Sequence, residues 1–341
     1  MTTLRTPLCD LLGIDVPILS AGMGSVAGPD LVAAVSEAGG FGVLGVSGAS
    51  PDGVRRRIQS TRALTARPFG VNVIIDEEGW ATTDEDRELV RSEVEAAADE
   101  HVAAIVLFWG DPAPYVDLAR TGGVKLIVQV GSLAEAEAAA GEGADAIIVQ
   151  GVEAGGHVRA TDSIWDLLPP VVAAVSPLPV LASGGIGDGA GVARALQLGA
   201  QGVSIGTRFV ASDESAAHDE YKRRIVASGA RDTVYTEDLY DVFWPGAPTR
   251  TLRNRTYDEW DAAGRPAPGS RPGEGTIIGT LRTPSGETLE LPRYGGSGSP
   301  LATFEGDFDL QAMWCGESVE VVNDVLPAGE IVRMLARDAA I

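Results

Sequence analysis

The chain has 341 residues, 45% of them hydrophobic and 22% charged, which excludes a disordered tail or linker and allows a large buried core. Its 48 acidic against 26 basic residues give a formal net charge of −22, a field that repels nucleic-acid backbones and anionic membranes, so neither is expected as a partner. The two cysteines, Cys9 and Cys315, lie far apart in sequence, form neither a disulfide framework nor a metal-ligand cluster, and read as buried small apolar residues.

Taken in chain order, short apolar runs alternate with amphipathic stretches. Pro17–Met23 is a first strand-like run, and Pro29–Ala38 has helical spacing that stops at the glycine pair Gly39 and Gly40. Phe41–Val46 is a second run, followed by a helix opening at Ser50 and Pro51. Phe69–Ile75 is a third, and the acidic stretch Asp84–Asp99 after it reads as a solvated helix. Ala103–Trp109 is a fourth run, with a helix over Asp111–Arg120; Lys125–Val130 is a fifth, whose helix opens at Ser132 with Glu135 three residues on, a capping-box pattern. Ala146–Val152, Pro179–Ala182 and Gly202–Ile205 are the sixth to eighth, with helices over Ser163–Val175, Asp188–Leu198 and Glu214–Ala227. Eight buried-type strands, each followed by a helix, point to an α/β fold, a closed (β/α)8 TIM barrel over 1–228. An open doubly wound sheet shares the alternation, but the count of eight and the glycine turns on the last two strands favour the barrel.

Residues 229–341 change character. Asp232–Pro300 is rich in Pro, Gly, Arg and acidic residues without a strong period, and reads as an irregular appendage whose aromatics argue against disorder; Phe308–Val322 and Pro327–Ala340 read as closing helices. No run in the first residues has signal-peptide length and no apolar stretch reaches the roughly 18 residues of a membrane span, so a cytoplasmic location is the expectation.

The chemistry concentrates at the strand ends. The seventh strand leads into Ser183, Gly184, Gly185 and Ile186, and the eighth into Gly206 and Thr207. Glycines there let backbone N–H groups approach an anion at a helix start, and barrels commonly bind phosphate after these two strands. Ala21, Gly22 and Met23 end the first strand; Asn72 and Gln129 lie inside the third and fifth. A buried amide is costly unless hydrogen-bonded, and Asn and Gln suit the mixed donor and acceptor edge of a flavin ring; a self-satisfied polar layer is the plainer alternative. Of three histidines, His101 and His218 read as surface or packing residues, whereas His157 follows Gly155 and Gly156 where a side chain faces a ligand. No cluster of metal-ligating residues appears, so no metal is expected.

These segments together, Pro17–Gly45, the strand at Gly70–Asn72, the stretch Gln150–His157 and Ala182–Arg208, resemble the nitronate monooxygenase family, formerly called 2-nitropropane dioxygenases. The resemblance covers most of the chain. It implies FMN across the barrel mouth, with Ala21, Gly22 and Met23 along its ring and Asn72 and Gln129 on ring or ribityl atoms. Gly155, Gly156, Ser183, Gly184, Gly185, Gly206 and Thr207 would hold the ribityl-phosphate, with Gly316 and Glu317 close to the flavin. His157 matches the family's catalytic histidine, taking the α-proton of a neutral nitroalkane or orienting a nitronate; the products are a carbonyl compound and nitrite, with dioxygen as oxidant. In one departure, Cys315, Gly316, Glu317 and Ser318 stand where related sequences often carry Ala-Gly-Gln-Ser. A carboxylate at Glu317 would disfavour an anionic reduced flavin and repel a nitronate.

Two other functions share these residues. One is an NAD(P)H-dependent FMN reductase of enoyl thioesters or quinones, the other a flavin-free phosphate-ligand barrel of isomerase or lyase type. An inosine-monophosphate-type dehydrogenase needs a cysteine on a barrel loop, which neither Cys9 nor Cys315 supplies. The expected partners are a small-molecule substrate and dioxygen, with a homodimer left open.

Overall fold

Eight parallel strands alternate with helices in the computed structural model, which describes residues 4–283, 286–296 and 300–340. In chain order these are α1 (Pro7–Leu12), β1 (Ile18–Ser20), α2 (Pro29–Glu37), β2 (Gly42–Gly45), α3 (Pro51–Leu64), β3 (Phe69–Ile74) and α4 (Asp84–Asp99). Then come β4 (Ala104–Phe108), α5 (Ala113–Thr121), β5 (Lys125–Val130), α6 (Leu133–Glu142), β6 (Ala146–Gln150) and the two-residue β7 (Gly156–His157). Helix α7 (Ile164–Val175), β8 (Val180–Ser183), α8 (Gly189–Gln197) and β9 (Gly202–Ile205) complete the repeat. The strands pair in the order β1-β9-β8-β6-β5-β4-β3-β2, and a parallel bridge between Leu19 and Phe41 closes the ring. This is the (β/α)8 barrel the sequence predicts.

The near-continuous apolar strands are explained by burial on both faces. Alternate residues (Leu19, Val43, Val106, Ile127, Ile148, Leu181) fill the barrel interior, and Leu8, Cys9 and Leu12 of α1 plug one end. The intervening residues, among them Val71, Ile105, Val128 and Val149, pack outward against the helices. Side-chain caps start several helices where the sequence places them: Ser50, Ser132, Ser163 and Asp188 each accept a backbone N–H of the first turn. At α6 the expected box is offset by one residue, because the Glu135 carboxylate accepts from Gly131 N at 2.8 Å.

The remaining elements are α9 (Thr207–Val210), α10 (Asp219–Val226), β10 (Thr233–Thr236), β11 (Thr249–Leu252), α11 (Arg255–Ala262), β12 (Ile277–Arg282), β13 (Thr288–Pro292), β14 (Phe304–Gly306) and α12 (Ala328–Ala339). They correct three expectations. The appendage is not irregular: β10, β11 and β7 form one three-stranded sheet, and β13, β12 and β14 another. Phe308–Val322 is not a helix apart from a 3-10 turn at Glu317–Val321, because the backbone of Met313 to Cys315 is taken up by β11. Leu252 N donates to Met313 O at 2.9 Å and Cys315 N to Arg250 O at 3.3 Å. The helix expected from Glu214 starts at Asp219 instead, with His218 as its cap, because the preceding residues bond across to Leu301 and Pro300.

Helix α4 is not simply solvated, for Glu93 faces inward and is fully buried. Its two carboxylate oxygens close no hydrogen bond among the described residues. Burial pushes this carboxyl up to about 8, and the nearby Gly48 and Ala49 amides and the Arg57 guanidinium only partly offset the shift. A raised folded value stabilises the fold below the unfolded carboxyl's ordinary range, and that stability is lost as pH rises toward about 8. Glu93→Gln should therefore raise the melting temperature at pH 8 by a few degrees and leave it nearly unchanged at pH 4.5. Equal shifts at both pH values would refute the assignment.

Candidate active site

At the C-terminal ends of the barrel strands lies a cavity of about 350 Å³. Every site residue expected from the sequence lines it except Glu317: Ala21, Gly22, Met23, Asn72, Gln129, Gly155, Gly156, His157, Ser183, Gly184, Gly185, Gly206, Thr207 and Gly316. Glu317 turns its side chain to Arg250, with Nη1 and Oε1 3.1 Å apart. The expected repulsion of an anionic flavin or nitronate is therefore offset by a guanidinium that also donates to Val152 O at 2.9 Å and 3.2 Å. Glu317→Gln should change kcat/KM by less than about fivefold, since the Glu317 carboxylate is partly exposed and does not line the cavity; a loss beyond that in steady-state assays would give the carboxylate a direct role.

One side of the cavity is built of backbone. Gly184 has φ +95°, and a Cβ there would stand 3.0 Å from Gly151 O, so only glycine lets the turn after β8 approach the loop after β6. Gly155 and Gly316 cross at backbone contact, where an added Cβ on Gly155 would lie 2.4 Å from Gly316 N. Glu317 N donates to Glu153 O at 2.9 Å and seals that crossing. Gly316 N donates to Thr207 Oγ1 at 3.0 Å, which fixes that hydroxyl at the edge of the cavity. Gly206 differs in kind. A Cβ there would meet nothing closer than Met23 Sδ at 3.7 Å and Ala21 Cβ at 3.9 Å, so its side-chain face is open to the cavity. Such a cradle of amides and hydroxyls fits a phosphate.

The barrel amides are partly committed. Asn72 Nδ2 donates to Val106 O at 3.1 Å, which satisfies one half of the side chain and directs the carbonyl oxygen elsewhere. Gly22 is needed beside it, since an added Cβ would stand 2.3 Å from Asn72 Cβ. Gln129 is half-buried. Gln150 is spent on backbone: its Nε2 donates to His157 O at 3.1 Å, and Arg159 N donates to its Oε1 at 2.8 Å. A mixed donor and acceptor set facing an amide-lined cradle is chemically matched to a flavin with a phosphate tail.

His157 is held from both sides. Its backbone pairs antiparallel with Thr249 of β11, and Val158 N donates to Pro248 O at 2.8 Å. Its ring contacts two indoles, with centroids 4.2 Å from Trp244 and 5.3 Å from Trp314. Among the described residues no side chain or carbonyl holds either ring nitrogen, so both are free to meet a substrate. Desolvation pushes the imidazole down to about 3, and it is neutral through the physiological range. The one carboxylate on the cavity wall, Glu153, is occupied elsewhere, accepting from Ser163 Oγ at 2.5 Å and Ile164 N at 3.0 Å. Cys315 is buried beneath the cradle and its thiol is pushed up by desolvation, which suits packing and not nucleophilic attack.

Sequence reasoning missed the aromatic wall: Trp80, Phe108, Phe243, Trp244, Tyr240 and Trp314 also line the cavity. Three of these, Tyr240, Phe243 and Trp244, belong to the segment Asp232–Pro300, whose aromatics were legible only as a sign of order, and Trp314 lies in the stretch expected as a closing helix. His101 and His218 lie outside the cavity, the first on Gly122 O at 3.0 Å and the second against the Phe308 ring. No group of metal-ligating side chains occurs among the described residues. No helix is long and apolar enough to cross a membrane, among the described residues.

Comparisons with known proteins bear on the family and the fold. The family profile described as nitronate monooxygenase matches residues 5–338. A nitronate monooxygenase of Paraburkholderia phytofirmans is 33% identical, covering 98% of this chain and 95% of its own. A hydroxy-methyl-oxo-octahydroindene-carboxyl-CoA dehydrogenase of Rhodococcus jostii is 37% identical over 77% of this chain and 70% of its own. Among solved structures, a nitroalkane oxidase from Streptomyces ansochromogenes superposes with a TM-score of 0.77 at 30% identity, covering 98% of this chain and 97% of its own.

Proposed function

The chain belongs to the nitronate monooxygenase family, and on that premise we propose that it is an FMN enzyme that oxidises alkyl nitronates with dioxygen to a carbonyl compound and nitrite. When bound, the flavin supplies the electron-accepting centre. The observation that carries the reading is a neutral imidazole, His157, in one cavity with an amide cradle suited to a phosphate tail.

In this reading the amides around Ser183–Gly185, with the Gly206 face and the Thr207 hydroxyl, hold the phosphate. Asn72 and Gln129 contact the ring edge, and Ala21, Gly22 and Met23 support its face. His157 uses a free ring nitrogen to orient the substrate's nitro group or to accept the α-proton. A base held so far below its ordinary range is weak against a carbon acid, so the site favours a substrate that arrives as the anion. Neutral nitroalkanes are slower substrates here, and the reaction partner of choice is the nitronate.

A thioester-directed reading rests on the CoA dehydrogenase relative. One experiment separates the two. Under anaerobic conditions the FMN-loaded protein is titrated with propyl nitronate in one cuvette and NADH in another. Loss of the oxidised-flavin absorbance with nitronate alone is expected; rapid bleaching by NADH alone would move the assignment to a reductase. Protein that takes up no FMN would sink both.

A further inference from the structure

The aromatic side of the cavity calls for a ligand of its own. Trp244 is 2% exposed, and its ring touches three others: His157 at 4.2 Å, Trp109 at 5.1 Å and Trp80 at 5.6 Å between centroids. The Trp314 ring stands 5.3 Å from the imidazole. Trp244 is not loosely placed, because its Nε1 donates to Asp76 Oδ2 at 2.6 Å. Asp76 is buried in turn and accepts the Glu78 and Gly79 amides at 3.0 Å and 3.1 Å. This bond fastens a residue of the appendage to the loop that follows β3.

The location follows from the strand order. In the closed ring, the boundary between β3 and β4 is diametrically opposite the boundary between β8 and β9. The amide cradle sits at the second boundary and the indoles Trp80 and Trp109 follow the first, with His157 reached from both. A ligand anchored by phosphate at one side leaves the aromatic side to face the reacting atoms beside His157. That side presents rigid, planar, apolar surface, and the described lining residues include no cationic side chain. Such walls recognise flat apolar groups by area and by offset or edge-on ring contact, and they gain little from a two-carbon chain.

We propose that the substrate compartment is built for a ring-bearing nitronate, an arylmethyl nitronate (ArCH=NO2−) in particular, in preference to short-chain alkyl nitronates. The inference rests on the nitronate reading above and names the substrate class of that same site. Trp244 and Trp80 are the specificity-determining residues, and Asp76 is a positioning residue acting through Trp244.

The test uses the FMN-loaded enzyme. Steady-state kcat/KM is measured by dioxygen consumption for ethyl and butyl nitronates and for phenylmethyl nitronate, the anion of phenylnitromethane. In parallel, Kd values for benzoate and acetate, inert planar carboxylates, are read from flavin difference spectra. The expected result is kcat/KM at least about 100-fold higher for phenylmethyl than for ethyl nitronate, carried mainly by KM, and benzoate bound at least about tenfold more tightly than acetate. Trp80→Ala, a half-buried position that should fold, is expected to shrink both ratios by about tenfold with FMN still bound; Asp76→Asn should shrink them less. Equal or inverted ratios in the wild type overturn the proposal. So does a Trp80→Ala enzyme that keeps the ratios or that loses FMN, because the wall would then serve the flavin. Discrimination between benzoate and acetate without turnover of any nitronate would retain the ring-binding compartment and overturn the nitronate reading alone.

Discussion

His157→Asn is expected to keep its FMN, to lose about 100-fold or more in kcat/KM on a neutral nitroalkane, and to lose less than about tenfold on the preformed nitronate. The difference follows from what each substrate asks of the imidazole. A neutral nitroalkane must surrender its α-proton, and His157 is the group in the cavity with free lone-pair nitrogen to receive it. A nitronate has already lost that proton and needs only orientation, which the asparagine amide can partly supply. The same geometry fixes a pH dependence. With its value pushed down to about 3 by desolvation, the imidazole of the free enzyme is neutral above that pH. The profile of kcat/KM for nitronate, corrected for protonation of the nitronate itself, should therefore show no inflection near 6.5, where an unperturbed histidine titrates. An anion bound beside the ring draws the value upward, so an inflection confined to kcat is compatible with the assignment. Full activity of His157→Asn on the neutral substrate would remove the histidine as the base.

The second large effect belongs to Gly206. Its backbone is at φ −100° and ψ −80°, not in the left-handed region that favours glycine, and its absent Cβ faces open cavity. Gly206→Val should thus fold and melt close to the parent, yet fill the space a phosphate tail needs. An FMN affinity at least about 100-fold weaker is expected, measured by fluorescence titration of the apoprotein, together with a melting temperature that no longer rises on adding FMN. Gly155→Val makes a useful contrast, since its new side chain would strike the backbone of Cys315 and Gly316 and lower stability with or without flavin. Unchanged FMN affinity in a folded Gly206→Val protein would place the phosphate elsewhere.

The barrel was legible because it is written locally. Apolar runs of four to six residues, each followed by a capped amphipathic stretch, need no knowledge of distant contacts, and Ser50, Ser132, Ser163 and Asp188 cap helices where they are expected. The glycine turns after the last two strands, the Asn72 amide and His157 were legible for a related reason: a small or polar residue where a strand should be apolar has to be accounted for by something it approaches. Those signals lie at the strand ends, on the face where the cavity opens.

What the chain alone determined is the repeat, its closure into eight strands and the identity of the residues at the strand ends. What only the tertiary structure decided is their company. Trp244 and Trp314 come to His157 from 87 and 157 residues further along the chain, through the β7–β11 pairing and the Trp244–Asp76 bond, and no periodicity announces such contacts. The same holds for Glu317, whose charge reads as a disturbance until the fold sets Arg250 against it, and for Glu93, one acid among many in α4 until α3 covers it. Local backbone preference is set within a few residues, whereas desolvation and charge pairing depend on which distant side chains displace water, and only the closed barrel with its appendage fixes that.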